Sequence, residues 1–198
     1  MSGGRSFIGR VTRCSTLGFV GAVRLPEPDL PAFGWFCQVE AQHGQSQVIG
    51  VIYDISVEDD AFARQLATAE GLTPEQLQDT QANRQVPVEF SALAVGYRNG
   101  DRISHALPPQ PPATLAEIHP LAAEAVRQFT ERLDFLSLIL AAPEVPVDEL
   151  LAAALRQAAE ARPEGERRRF LVQAGRECAR LLGSDLTRLE KVVRSLRP

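Results

Sequence analysis

The side chains able to do chemistry are few and scattered. The three histidines, His43, His105 and His119, fall in different elements, with no H-E-x-x-H pair and no acidic or cysteine neighbour at ligand spacing. A metal site on them would need a chance convergence in space, and none is expected. Glu58-Asp59-Asp60 carries enough carboxylate for magnesium. Such a site wants further oxygen ligands from elsewhere, and acidic groups also offset the partial positive charge at a helix start, which is the reading adopted. No Ser, Cys or His stands in a setting such as G-x-S-x-G, so acyl transfer has no anchor. Cys14, Cys37 and Cys178 are odd in number and widely spaced, without a C-x-x-C pair. They indicate neither a disulfide framework nor a zinc ribbon, and point to a reducing cytoplasm, with Cys37 as a small buried hydrophobe. No catalytic residue, metal or cofactor is expected.

The basic side chains say more. Of 21 basic residues only Lys191 is a lysine. A P-loop of the G-x-x-x-x-G-K-[ST] type needs a lysine beside its second glycine, and none can be written here, so the chain is not a Walker-type ATPase by itself. The net charge of −4 argues against a general nucleic-acid binder. Only residues 144–198 are basic on balance, with 11 basic against 9 acidic side chains. Within them, Arg168, Arg169, Arg176 and Arg180 are candidate contacts for a partner or for phosphate. Glu164, Glu166 and Glu177 are interleaved, so a solvated face with pairing between turns is the competing reading.

The elements that would position these groups change character along the chain. In Ser46 to Glu58, SQVIGVIYDISVE, the residues Ile49, Val51, Tyr53, Ile55 and Val57 share one face and Asp54, Ser56 and Glu58 the other, as in a half-buried strand. Gly50 marks a bulge or a close backbone approach. Phe7 to Cys14, Gly18 to Leu25 and Gly34 to Ala41 read as three earlier strands, with Trp35 as core filler and His43-Gly44-Gln45 as a turn. Pro26, Pro28 and Pro31 make a loop. Residues 59–83 read as a helical insertion. The β pattern returns from Gln85 to Tyr97, with Pro87 at an edge or bulge and a register change near Leu93. Asn99-Gly100 turns it into a last strand, Asp101 to Leu107.

PPQPPA, residues 108–113, reads as a stiff connector. Beyond it the period is helical. Ile118, Ala122, Ala125, Phe129, Leu133, Leu136 and Leu140 make one stripe, with Pro120 in the first turn and Pro143 at the end. Leu150, Leu151, Ala154, Leu155 and Ala158 make a second, separated by Pro163 and Gly165 from Leu171, Ala174, Cys178, Leu181 and Leu182. Ser184 caps a last helix with Leu186, Leu189, Val192, Val193 and Leu196. The expected fold is α+β: a small β-barrel over 1–113 with a helical insertion, then a helical bundle or arm over 114–198. The N-terminus lacks an apolar signal region and FLSLILAA is too short to span a membrane, so a soluble protein is expected.

IGRVTRC (Ile8 to Cys14), SQVIGVIYDISVE and LPPQPPATLAEIHPL (Leu107 to Leu121) together resemble the HAS-barrel. That module is the N-terminal β-barrel of HerA-type hexameric DNA translocases and, in related form, of rotary ATP synthase subunits. The resemblance implies a barrel that stacks beside its neighbours and docks a partner. It carries over no ATP hydrolysis, because about 85 helical residues without a P-loop stand where a RecA-like domain would begin. The resulting expectation is an interaction protein, or homo-oligomer, that docks through barrel and helices within a larger bacterial assembly. A nucleic-acid-binding small barrel and an enzyme with a dispersed site are the alternatives.

Overall fold

A computed structural model describes residues 7–24, 31–57, 87–183 and 185–196. The expected helical insertion at 59–83, Glu58-Asp59-Asp60, Pro26, Pro28 and the Ser184 cap fall outside them. Among the described residues are seven strands: β1 (Gly9–Cys14), β2 (Gly18–Arg24), β3 (Phe36–Ala41), β4 (Ser46–Val57), β5 (Pro87–Asn99), β6 (Arg102–Ser104) and β7 (Glu117–Pro120). Every pairing is antiparallel. Six strands close in the ring order β1-β2-β5-β4-β3-β7, and β6 adds to β5 outside the ring. Closure is what removes the exposed ladder edges of a small sheet.

The long pair β4–β5 bends around the barrel through two bulges. Tyr53 is unmatched between Ile52 and Asp54, and Val95 is unmatched between Ala94 and Gly96, two residues past the expected register change. Pro87 opens β5, where its missing N–H breaks no ladder. In the β5–β6 hairpin Asn99 is still paired, opposite Arg102, and only Gly100 takes a positive φ, 55°.

The barrel interior is filled by side chains, including Phe19, Val48, Ile52, Phe90 and Ile118, all buried. Gly21 makes the room. A Cβ there would lie 2.4 Å from Ile118 Cδ1 and 2.5 Å from Phe90 Cζ, so the phenyl ring rests on bare backbone. The half-buried reading of Ser46 to Glu58 is corrected: β4 is buried on both faces over Val48–Ile52 and exposed on both over Asp54–Val57. The reason is a cover on the outside, where Ile49 and Val51 join the helical core while Val48 and Ile52 point inward. Trp35 is only partly buried against the barrel core; Phe36 is the fully buried ring of that segment, and it points outward.

The cover consists of α1 (Ala123–Phe129), α2 (Leu136–Leu140), α3 (Val147–Glu160), α4 (Glu164–Leu182) and α5 (Leu186–Ser195). Two expectations change here. PPQPPA does not space two units apart: Pro112 bridges to Ala41 of β3, and the chain then enters β7, which pairs with β1 and β3. Ile118 is therefore a barrel residue and Pro120 the end of a strand, not the start of a helix. The stripe from Ile118 to Leu140 is broken again after Phe129. There the Thr130 hydroxyl donates to Val126 O at 2.7 Å, and side chains described below take the last carbonyls.

The later helices follow the periodicity. Leu150, Leu151, Ala154, Leu155 and Ala158 of α3 are all buried. α4 ends at Gly183 with φ 57°, and Gly165 lies inside its first turn. Asp185 caps α5 by accepting from the Arg188 N–H at 3.1 Å. Arg188–Asp148 at 2.7 Å and Lys191–Glu149 at 2.6 Å tie α5 to α3. The Lys191 ammonium holds the Glu149 carboxyl below its ordinary range. α3 touches the barrel where a close approach is needed: Gly34, at φ 84°, has no Cβ, and one there would meet Ala153 Cβ at 2.4 Å. Beside it the Phe36 N–H donates to Gln157 Oε1 at 2.9 Å. No helix among the described residues is long and apolar enough to cross a membrane.

The filled interior sets an expectation for Gly21. Gly21→Ala must displace Phe90 or Ile118, and overpacking of this kind costs about 1–3 kcal/mol. Urea unfolding followed by circular dichroism should show that loss, with the slope of the transition unchanged.

Candidate functional site

Much of the chemistry-bearing side-chain inventory is spent on structure. His105 lies between Phe129 (ring centroids 4.5 Å apart) and Phe135 (5.9 Å), with only 7% of its side chain exposed. Its Nε2 is 2.9 Å from Phe129 O, at the end of α1, and Nδ1 is 3.6 Å from Asp134 Oδ2. Arg162 donates to Thr130 O at 3.1 Å and to Ala158 O at 2.6 Å, and lies 3.7 Å above the Phe170 ring. Burial, with Arg127 nearby, pulls its guanidinium below the ordinary value. These two side chains take the carbonyls that a helix end leaves unpaired. No cluster of three or more metal-ligating residues occurs among the described residues.

The cysteines are spent likewise. Burial pushes the Cys37 thiol far up, against a weak opposing bond to Gly50 O, and burial with the Glu177 charge pushes Cys178 up to about 11. Cys14 is half-buried and donates to Pro112 O at 3.1 Å.

The site with the most built-in geometry is a groove of about 780 Å³ on the outside of β1, β7 and β3, further along the outward face of β3 than Phe36. Its floor is polar because Gln38 and Glu40 alternate outward against Cys37 and Val39 inward. Arg10 crosses it, bonded to Glu117 Oε1 at 2.8 Å and to Leu115 O at 3.3 Å. Glu117 also faces His119 Nε2 at 3.6 Å, and Phe7 meets the His119 ring edge-on at 6.4 Å. The Arg10 guanidinium is 5.4 Å from the Phe7 ring centre. His119 thus belongs to a strand and to this groove, not to a helix start.

Backbone strain collects at the same place. Among the described residues three non-glycine positions have positive φ, namely Gln42 and His43 (53° each) and Leu115 (65°), and all three line the groove. Leu115 is held there by its N–H, which donates to Val11 O at 2.8 Å, while its side chain is 66% exposed. Residues in such conformations cost of order 1 kcal/mol or more each and persist where the surrounding structure over-determines them. The groove was not visible as a motif because its residues come from positions 10, 38–43, 47 and 110–119.

Of the arginines singled out in the sequence, the structure separates one from three. Arg180 is bonded to Glu177 at 2.6 Å, which lowers the Glu177 carboxyl and raises the guanidinium. Arg168, Arg169 and Arg176 line one shallow depression on α4, away from the groove. Arg167, their neighbour, is turned back to donate to Arg162 O at 3.0 Å and to Glu160 O at 3.3 Å. No protein-family model matches the chain, and a search of curated proteins finds no match.

Leu115→Gly tests the strain. Relief of the left-handed leucine is worth about 1–2 kcal/mol, against about 0.5–1 kcal/mol for the freer unfolded chain. Urea unfolding should therefore show a net gain of up to about 1.5 kcal/mol. In a native thiol titration at pH 8 only Cys14 should react promptly, since roughly one Cys178 in a thousand is then thiolate and Cys37 is sealed in the barrel. All three should react after unfolding.

Proposed function

We propose that this chain is a non-catalytic docking protein, a barrel of the HAS type with a helical pack on one side, that works by contact within a larger assembly or with further copies of itself. The observation that carries this reading is the convergence of three left-handed non-glycine residues on one outer groove, with Leu115 held out to solvent at its rim. An apolar side chain fixed in a costly conformation and left uncovered gains nothing for the isolated fold. It gains if a partner covers it.

The packed interior points the same way. Phe19, Phe90 and their neighbours occupy the space in which larger barrels hold a ligand, so recognition falls to the outside. The groove is mixed in charge, with Arg10 beside Glu117 and Glu40, which suits a polypeptide better than a uniformly charged polymer.

The test is photo-crosslinking in the native cell. A benzophenone side chain placed at Leu115 should give one discrete product, identifiable by mass spectrometry as a partner or a second copy. The same group at the exposed Glu190 on α5 should not give that product. No product from position 115, or the same set from both positions, would overturn the proposal.

A further inference from the structure

Arg168, Arg169 and Arg176 have no hydrogen bond or ion pair among the described residues, whereas Arg162, Arg167 and Arg180 are all engaged. On a helical wheel the three lie within about 60° of Val172, which is 49% exposed. Glu164, Glu166 and Glu177 fall about 80° or more from that line. Glu164 flanks Arg168 and Glu166 flanks Arg169 on the wheel, but neither makes an ion pair with them among the described residues, and Glu177 is already committed to Arg180. What remains is an exposed valine ringed by three uncommitted guanidinium groups around a shallow depression that also includes Gly165 and Gln173.

We infer that this face of α4 docks an acidic amphipathic helix of a protein partner, with its carboxylates on Arg168, Arg169 and Arg176 and an apolar side chain against Val172. The inference rests on the reading of the chain as a docking protein and names a second surface and its partner's chemistry. Charge complementarity sets the sign of the partner, and the apolar centre sets its amphipathic character. A single strand of nucleic acid would need aromatic platforms for its bases, and none line this depression. A lipid surface would need a broader apolar face than one valine.

The probe is a fluorescent synthetic helix carrying leucine with glutamates at i−4, i+3 and i+4. Its controls are the glutamine counterpart, a scrambled helix of the same composition, a 20-nucleotide single-stranded RNA and phosphatidylserine vesicles. The acidic helix should bind the full-length chain, bind it more weakly in high salt, and lose about tenfold in affinity against the Arg168→Ala, Arg169→Ala, Arg176→Ala triple variant. Val172→Asp should weaken it comparably, with far-ultraviolet circular dichroism showing that both variants stay folded at the temperature of the binding assay. Equal binding of the scrambled helix, stronger binding of RNA or vesicles, or indifference to the triple variant would overturn the inference. Crosslinking at Leu115 is a separate readout, so this inference can fail while the groove reading stands.

Discussion

Phe36 stands outward from β3 and meets Phe129 and Phe135 edge-on, with ring centroids 5.9 and 5.8 Å away, and the rest of the molecule is arranged around that contact. Each ring buries enough apolar surface to contribute about 2–3 kcal/mol. Together with Ile49, Val51 and Val95 they convert one outer side of the barrel into the floor of a second core. The break after α1 follows from this. A helix continuing straight through Thr130 would turn Phe135 about 120° away from the face of Phe129, and the turn that brings it back is held by His105 and Arg162 on the freed carbonyls.

That cover is one-sided, and the difference between the sides organises what the protein can do. Where helices lie on the barrel, strands are apolar on both faces, as in β4 over Val48–Ile52. Where they do not, β3 turns Gln38 and Glu40 outward, and β7 adds Glu117 and His119. Cys37, Val39 and Ile118 keep the same strands filled on the inside. A small closed barrel has little conformational slack, because every strand is paired on both sides and the rings inside rest on backbone. Left-handed residues on its surface are therefore held by ladder and loop bonds that cannot easily relax, which is how Leu115 stays strained.

The parts of this arrangement that were legible in the sequence are those with a local cause. Alternation gave β1 to β5, and the apolar stripes with Gly183 gave α3 to α5. The insertion of β7 was hidden for a physical reason: Ile118, Ala122, Ala125 and Phe129 keep helical spacing, and the fixed φ of Pro120 suits the first turn of a helix as well as the end of a strand. Only the pairing of Ile118 with Gly9 and Val39 decides between them. Likewise no residue type announces φ 65° at a leucine. The arginines were visible as charge, but the fate of each depended on which carbonyl or carboxylate lay within reach, as Arg167 and Arg180 show.

That dependence also gives a reason for arginine to be used 20 times and lysine once. An ammonium presents a compact charge that prefers its water, whereas a guanidinium can spread planar donors over a carbonyl while its face lies on an aromatic ring. Arg162 does both, bridging Ala158 O and Thr130 O above Phe170, and Arg167 spans two carbonyls at the end of α3. Lysine at either place would satisfy fewer acceptors and lose the stacking. The same planar fork suits carboxylates. Once the helix ends and Glu177 have taken Arg162, Arg167 and Arg180, the three guanidinium groups left on α4 are the ones for which the described residues supply no acceptor.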